Sequence, residues 1–287
     1  MRPATAASRR ASRAGVGLNV GELRIGISGW NYQPWRGIFY PPRHPQKREL
    51  EFASRAFNSI EINGTFYSMQ RPSSFQKWYD ETPDDFVFSL KGPRFITHMK
   101  KLRDVEVPLA NFFASGVLAL REKLGPILWQ FPPNFGWNEA RFREFFALLP
   151  RDTTAASRLA RRHNEKLKAR AWLKTDAPRP IRHAVEIRHP SFLVPEFFAL
   201  LRAEKIAFVI ADTAGKFPYA EELTTDLVYC RLHGDEQLYV SGYSDRALEM
   251  WAKRIRRWRR GRDIFVYFDN DAKVHAPFDA QRLAALV

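Results

Sequence analysis

Residues 227–233 of the chain have the sequence Leu-Val-Tyr-Cys-Arg-Leu-His, and this stretch decides the fold. Side chains of a β-strand point alternately to opposite faces, so Val228 and Cys230 share one face. Arg231 and His233 share the other face. A parallel strand with helices on both faces is apolar throughout. The polar face of this strand must therefore look into something other than a layer of helices.

The same alternation of apolar and polar side chains recurs in other short runs rich in β-branched and aromatic residues. It is clearest in residues 59–63 (SIEIN), 86–91 (FVFSLK), 183–188 (HAVEIR) and 264–269 (IFVYFD). Three further runs complete a set of eight predicted strands: residues 24–28 (RIGIS), 126–131 (PILWQF) and 207–212 (AFVIAD). A closed barrel whose interior ends in a polar pocket satisfies this pattern, whereas an open doubly wound sheet is the alternative for eight βα units.

Amphipathic helical patterns separate most of these strands. An apolar stripe that starts at Phe142 predicts a helix beginning near Asn138, and a second stripe that starts at Leu248 predicts a helix capped by Ser244. No strong helical pattern appears between residues 212 and 227. The predicted fold is therefore α/β, a single TIM-like (β/α)8-type barrel with one short or missing helix.

The length of 287 residues fits one such barrel, which typically needs about 250 residues. We expect the barrel to span residues 24–287, with a disordered basic tail at residues 1–23 and a basic insertion at about residues 151–180. The single cysteine excludes an internal disulfide and fits a reducing compartment. No secretory signal and no apolar run of roughly 18 residues is apparent, so we predict a cytoplasmic protein without a membrane partner.

Polar side chains gather at the carboxyl ends of the predicted strands, where barrel enzymes have their active sites. Buried charges there must pair with one another, because each unpaired charge would cost several kcal/mol. An ion-pair lattice without catalysis is therefore one interpretation. The residues expected to converge are Ser28, Glu61, Asn63, Lys91, Gln130, Glu186, Arg188, Asp212, Arg231, His233, Asp269 and Asn270.

The other interpretation is an enzyme that carries out acid–base chemistry, hydrolysis or isomerisation, on a small polar or anionic substrate. We expect Glu186 or Glu61, as a carboxylate with a pKa moved toward neutrality, to be the general base. We expect His233 or His98 to be the acid. Lysine and arginine side chains would hold an anion. The candidate catalytic residues are Glu61, Glu186, His233 and Asp269. The candidate substrate-binding residues are Ser28, Trp30, Asn63, Tyr67, Lys91, His98, Gln130, Arg188, Asp212, Arg231 and Asn270.

A divalent metal is possible at the same place on composition alone, although no pair of candidate ligands has a diagnostic spacing such as HxH. Arg188 and Arg231 would repel a cation. No glycine-rich phosphate loop is present, so a nucleotide cofactor is not expected. The residues that could supply metal ligands are His98, Glu186, His189, Asp212, His233 and Asp269.

Seven motifs occur in a characteristic order, and together the chain resembles the YecE-like family, domain of unknown function 72. The resemblance runs from about residue 24 to the C-terminus, with Gly64 and Phe192 where serine and tryptophan are commoner in the family. It implies a TIM-like barrel and no particular reaction. The motifs are IGISGW (25–30), EINGTFY (61–67), ITH (96–98), WQFPP (129–133), EIRHP (186–190), RLHG (231–234) and YFDN (267–270).

The net charge of +15 is concentrated outside these motifs. Residues 1–24 carry +4 and residues 151–180 carry +6. Both segments precede a strand, so we expect them at the end of the barrel opposite the pocket, together with the arginines of residues 256–260. A solubilising surface is one explanation, and non-specific binding of nucleic acid through its phosphates is the other. A small-molecule sensor that uses the pocket without catalysis is a third functional class.

Removal of this charge tests the nucleic-acid hypothesis. Deleting residues 1–23 and replacing the lysines and arginines of residues 158–170 with glutamine should weaken binding to a random-sequence DNA duplex at low salt. The slope of log K against log salt should fall by about 0.9 for each phosphate that the protein no longer neutralises. Fluorescence anisotropy over a salt series measures both quantities. Unchanged binding, or no binding by the intact chain, would refute the hypothesis.

Overall fold

The structure is a computed structural model that describes residues 20–167 and 170–287. Eight parallel strands hydrogen-bond in chain order, and the last pairs with the first to close a barrel. Each predicted strand is present, with ends that differ by at most two residues. The strands are β1 (Leu23–Ser28), β2 (Ser59–Ile62), β3 (Val87–Lys91), β4 (Leu124–Gln130), β5 (His183–Glu186), β6 (Ala207–Asp212), β7 (Leu227–Leu232) and β8 (Asp263–Phe268).

Helices surround the barrel and connect successive strands at every position except one. Within the described chain, the connection from β6 to β7 over residues 213–226 contains no helix, so the predicted short or missing helix falls there. The α-helices are α1 (Glu49–Ala56), α2 (Gly64–Tyr67), α3 (Pro72–Glu81), α4 (Glu106–Ala114), α5 (Glu139–Leu148), α6 (Thr153–Ala160), α7 (Pro195–Ala203), α8 (Asp245–Trp258) and α9 (His275–Ala285).

Two of the helices begin where the sequence predicts. The side chain of Asn138 accepts a hydrogen bond from the backbone N–H of Arg141 at 3.0 Å and caps α5. The hydroxyl of Ser244 accepts one from the backbone N–H of Ala247 at 3.3 Å and caps α8. Each bond satisfies one of the N–H groups that have no partner inside a helix.

The two faces of the strands contribute to two separate hydrophobic clusters. Outward residues such as Ile27, Phe88 and Cys230 pack against the helices in the main hydrophobic core. Inward residues such as Leu128 and Tyr267 fill the barrel itself. Apolar and aromatic side chains fill the lower part of the barrel interior, whereas polar side chains occupy the end formed by the carboxyl ends of the strands. This is the usual arrangement in barrel enzymes.

The last residues of the predicted tail and part of the predicted insertion contact other parts of the structure. Residues 1–19 of the predicted tail lie outside the described residues, while Val20 already forms a bridge to Arg260. The insertion is not confined to the end opposite the pocket, because Lys166 Nζ lies 5.5 Å from the ring centre of Phe95, just past the end of β3. The prediction was wrong for this part of the insertion, since α6 packs along α4 and carries the following residues toward the pocket side.

None of the helices in the described ranges is long and apolar enough to cross a membrane.

The seam between β1 and β2 allows no side chain at Gly26. A Cβ atom built on Gly26 would lie 1.8 Å from the backbone oxygen of Ser59. Gly26→Ala should therefore lower the free energy of unfolding by about 1–3 kcal/mol or more, because neither strand can yield without disturbing the ladder. Urea unfolding followed by circular dichroism measures the change. Gly64→Ala is the control, because its nearest neighbour is the flexible end of Gln70 at 3.4 Å. Equal stability of the two variants would contradict the prediction.

Candidate functional site

Arg231 lies at the centre of the polar end of the barrel. It is the fifth residue of β7, and its side chain has no exposure to solvent. Its guanidinium group forms ion pairs of 2.8 Å with Glu61, Glu186 and Asp269. Charge-assisted bonds of this length are among the strongest that side chains form. The predicted charges of several strands therefore meet in one network around a single cation.

Glu61 has no free acceptor position toward a ligand. Its carboxylate accepts hydrogen bonds from Ser28 Oγ and Tyr229 Oη at 2.5 Å each, besides those from Arg231. The side chain is fully buried. Glu61 therefore holds Arg231 in place from below.

Glu186 is engaged in the same way. It accepts hydrogen bonds from Gln130 Nε2 at 2.6 Å and from Arg188 Nε at 3.0 Å, in addition to that from Arg231. Burial opposes its ionisation, yet Arg231 and Arg188 hold the pKa of Glu186 well below the ordinary value of 4.5. The expectation that this carboxylate has a pKa near neutrality was wrong, because two guanidinium groups outweigh the effect of burial.

His233 and Asp269 complete the network. Nε2 of His233 lies 3.3 Å from Arg231 Nη1, and Nδ1 lies 3.1 Å from Asp269 Oδ2. Burial, followed by the positive charge of Arg231, lowers the pKa of His233. A neutral ring that accepts from Arg231 at Nε2 carries its proton on Nδ1, which faces Asp269. His233 is fully buried and does not line the pocket, and its Nδ1 forms no hydrogen bond with the described residues although it lies close to Asp269.

A pocket of about 790 Å³ opens directly above this network. Its size suits a small molecule. Polar, charged and aromatic side chains from most of the loops that follow the strands line it. They are Tyr32, Asn63, Phe66, Tyr67, Lys91, Arg94, His98, Met99, Gln130, Arg188, Tyr239, Asp269 and Asp271.

Two carboxyl groups in the pocket have opposite acidities. Burial opposes ionisation of Asp269, but Arg231 and His233 lower its pKa below the ordinary 3.8. Burial and the nearby charge of Asp269 raise the pKa of Asp271 well above that value. Oδ1 of Asp271 is buried and accepts no hydrogen bond from the described residues. A protonated Asp271 beside an ionised Asp269 accounts for both observations.

Three cationic side chains face the pocket. Arg94 is exposed and forms no ion pair with the described residues, and its guanidinium carbon lies 5.7 Å from the ring centre of Tyr67. Arg188 is held by Glu186 and donates from Nη2 to Tyr239 Oη at 3.1 Å. Lys91 completes the set at the end of β3. This surplus of positive charge favours an anionic ligand.

His98 is a hydrogen-bonding residue of the pocket. Burial and the charge of Lys91 lower the pKa of His98 to about 4, so its ring is neutral at pH 7. Nδ1 lies 2.8 Å from Thr97 Oγ1. The prediction that His98 serves as a protonated acid therefore finds no support in its surroundings.

The predicted site residues fall into three groups by position. Those that line the pocket are Asn63, Tyr67, Lys91, His98, Gln130, Arg188 and Asp269. Those buried directly beneath it are Ser28, Glu61, Glu186, Arg231 and His233. Those that belong to other environments are Trp30, Asp212 and Asn270.

These last three residues do not line the pocket, and each has partners elsewhere. Trp30 packs edge to face on Trp78 of α3, with 5.5 Å between ring centres. Asp212 accepts a hydrogen bond from Tyr243 Oη at 3.1 Å. Asn270 is buried and donates to Asp279 of α9 at 2.9 Å. Adjacent positions near a strand end point in different directions, and alternation alone does not reveal which of them enters the pocket.

Six pocket residues were not among the candidates selected from the sequence: Phe66, Met99 and four residues with hydrogen-bonding side chains, which are the more informative omissions. These four lie in loops, where no periodicity identifies an inward side chain. Asp271 could have been found from its spacing, because it lies two residues beyond Asp269. The four residues are Tyr32, Arg94, Tyr239 and Asp271.

The proposed metal ligands do not come together. Within the described ranges, no three histidine, cysteine, aspartate or glutamate side chains are arranged to hold a metal ion. His189 accepts a hydrogen bond from the backbone N–H of Ser191 at 3.2 Å at the start of a short helical turn. Arg231 occupies the position among the carboxylates that a cation would need.

The fold and the site define the chain as a TIM-like barrel protein with a charged pocket at the carboxyl ends of its strands. Residues 24–287 match the family described as "Protein of unknown function DUF72". The chain belongs to this family, as the motifs of the sequence indicated.

Related proteins agree with this assignment. UPF0759 protein YunF of Bacillus subtilis (strain 168) is 24% identical over 298 residues, which cover 92% of this chain and 94% of that protein. UPF0759 protein YecE of Escherichia coli (strain K12) is 27% identical over 171 residues, which cover 59% of this chain and 50% of that protein.

Solved structures of the family have the same architecture. A DUF72 family protein from Thermotoga maritima has a TM-score of 0.73 at 25% identity, covering 92% of this chain and 98% of that chain. One from Enterococcus faecalis has a TM-score of 0.70 at 16% identity, covering 92% and 94%. The second likeness concerns the fold alone.

Replacement of Arg231 tests the role of the network in stability. Arg231→Met should lower the free energy of unfolding by about 3–5 kcal/mol, because three carboxylates lose their shared cation. Arg182→Met is the control, because Arg182 forms one half-exposed ion pair of 2.7 Å with Asp263. Its loss should cost about 1 kcal/mol or less. Urea unfolding at pH 7 compares the two, and equal losses would contradict the prediction.

The same variant changes the response to acid. Because the pKa values of Glu186 and Asp269 are lowered on folding, their stabilising contribution is present above about pH 4.5 and is lost as the pH falls through their folded values. In Arg231→Met the pKa values are no longer held down, so the loss of stability in acid should become smaller or reverse. Unfolding midpoints over a pH series from about 3 to 7 measure this dependence. A parallel acid response in the variant and the wild type would contradict it.

Proposed function

We propose that the protein is an enzyme that carries out acid–base chemistry, either hydrolysis or isomerisation, on a small anionic substrate held in this pocket. The observation that carries the proposal is the pairing of Asp269 and Asp271, two carboxyl groups in one pocket whose pKa values are moved in opposite directions. Such pairs mark an acid and a base that act together in many enzymes.

Asp271 is the general acid in this proposal. Its raised pKa keeps it protonated near the pH at which the ionised Asp269 can accept a proton. Asp269 is held by Arg231, which is therefore a positioning residue, and His233 lies beside it. Glu61 and Glu186 act one step further away, because they hold Arg231.

Arg94, Arg188 and Lys91 would bind the anionic group of the substrate. Oδ1 of Asn63 is buried at the pocket wall and receives no hydrogen bond from the described residues, so it would accept one from a hydroxyl or amide group of the ligand. A buried acceptor without a donor is costly, and a bound ligand would remove that cost.

Anion binding is tested first. A panel of small carboxylates and phosphates is screened for stabilisation of the protein against heat, and the affinity of each hit is measured by calorimetry. Arg94→Gln should weaken binding about tenfold or more, since a hydrogen bond to a charged group contributes about 1.5–3 kcal/mol. Arg103→Gln is the control, because Arg103 is exposed on the same segment and does not line the pocket. Equal affinities of the two variants would refute the anion site.

Catalysis is tested on the ligands that bind. Asp271→Asn should reduce turnover by about 10²–10⁴-fold and leave binding largely intact, because the amide keeps the shape of the carboxyl and cannot supply its proton. In the wild type, turnover should fall as the pH rises through the raised pKa of Asp271, and this limb should be absent from the variant. Binding without turnover of any ligand would refute the enzyme and favour a small-molecule sensor.

A further inference from the structure

The amine of Lys91 is the most unusual polar group that faces the pocket. Lys91 is the last residue of β3, and only 7% of it is exposed. Within the described ranges, its Nζ forms no ion pair within 4.0 Å and no hydrogen bond. The face of the Phe66 ring lies 4.3 Å from Nζ, a cation–π contact that stabilises the ammonium form. Because Lys91 lines the pocket, the hydrogen-bond partners of its amine must come from solvent or from a bound ligand.

Lys123 is a buried lysine with a structural role, and it provides a comparison for Lys91. It is 3% exposed, and its Nζ lies 4.5 Å from the ring centre of Tyr79. Its amine donates to the backbone oxygens of Tyr79 and Thr82 at 2.7 and 2.8 Å and to Thr82 Oγ1 at 3.2 Å. The two lysines match in burial and in their aromatic neighbour. They differ in that Lys123 is satisfied and Lys91 is not.

The surroundings of Lys91 give its amine a larger neutral fraction than an ordinary lysine has, although an amine with a pKa of about 8 is still mostly protonated at pH 7. Burial, followed by the positive charge of Arg231, lowers the pKa of Lys91 to about 8, although Asp269, Glu186 and Glu61 oppose the shift. A neutral lysine amine is a nucleophile toward carbonyl carbon. The pocket also contains the proton that such a reaction consumes, on Asp271, and an unpaired guanidinium group on Arg94.

We propose that Lys91 is a nucleophile that forms an imine with an aldehyde or ketone whose neighbouring carboxylate or phosphate is bound by Arg94. This inference rests on the proposed function and specifies its substrate class as small anionic carbonyl compounds. It assigns Lys91 a covalent role in place of a purely electrostatic one.

The reaction is balanced with the groups present. The lone pair of Lys91 Nζ attacks the carbonyl carbon, and the C=O π electrons move to oxygen. Asp269 accepts the excess proton from the nitrogen and passes it to the oxygen, which gives a neutral carbinolamine. Asp271 then donates its proton to the hydroxyl, which leaves as water while the nitrogen lone pair forms the C=N bond of a protonated imine. No oxidant or reductant is required.

Reductive trapping tests the inference directly. The full chain is incubated at about pH 8 with glyoxylate, pyruvate, glyceraldehyde 3-phosphate or pyridoxal 5′-phosphate, and sodium borohydride then converts any imine into a stable secondary amine. Peptide mass spectrometry locates the adduct. Lys91 should be labelled on the order of tenfold faster than the exposed Lys47 and Lys273, because its lowered pKa gives it a larger neutral fraction at this pH than an ordinary lysine has. Lys123 should remain unlabelled.

Variants separate a covalent from an electrostatic role. Lys91→Met and Lys91→Arg should both abolish the adduct and the turnover of a carbonyl substrate, although arginine keeps the positive charge. Arg94→Gln should slow trapping of glyceraldehyde 3-phosphate and leave trapping of uncharged glyceraldehyde unchanged. Circular dichroism and thermal unfolding of each variant show that the fold is intact.

The outcomes distinguish this inference from the proposed function. Labelling of Lys91 no faster than that of the exposed lysines with all four probes would overturn the inference, as would full turnover in Lys91→Arg. If anion binding still depended on Arg94 and turnover on Asp271, the proposed function would stand. If neither anion binding nor trapping occurred, both would fail.

Discussion

The burial of one guanidinium group is the constraint on which the rest of the site depends. Arg231 has no contact with water, and a charge in that position is tolerated only if anions surround it closely. Three carboxylates do so, and they come from β2, β5 and the residue that follows β8. The closed barrel brings these positions together across its interior. The position of Arg231 at the centre therefore determines where the carboxylates at the polar end of the barrel must lie.

This organisation divides the polar residues into two layers with different physical states. In the lower layer, every carboxylate oxygen of Glu61 and Glu186 is engaged in hydrogen bonds with neighbouring side chains. In the upper layer, several groups lack partners, among them the oxygens of Asn63 and Asp271 and the amine of Lys91. Structural roles belong to groups that are already satisfied, whereas chemistry requires groups that a ligand can still engage.

The eight strands and their order were predictable because alternation has a fixed period of two, and half-polar strands exclude a sheet covered on both faces. The missing helix between β6 and β7 was predictable because residues 213–226 have no apolar stripe. These features depend on local sequence patterns. They can therefore be predicted without knowledge of tertiary contacts.

The sequence predicts many of the residues that gather at the site, but it does not predict how deep each of them lies in the barrel. Glu61 and Asn63 share a strand face, yet the first is sealed beneath the pocket and the second lines it. Periodicity predicts the face of the strand from which a side chain projects, but it does not predict the position of that side chain along the barrel axis. The pKa values also depend on neighbours from distant strands, so Glu186 acquires a lowered pKa from residues that only folding brings near it. Asp271 and Tyr239 lie in loops and follow no period at all.

The closure of the barrel between β1 and β8 has a consequence for the order in which the protein can assemble. Glu61 and Arg231 are 170 residues apart in the chain, and Asp269 lies further still. A nascent chain that ends after its first four βα units contains Glu61 without any of its cationic partners on the later strands. Such a half-barrel would have to leave that carboxylate in water and its edge strands open. The polar centre can therefore become dry only when the last strand docks, so that completion of the site and completion of the fold are one event.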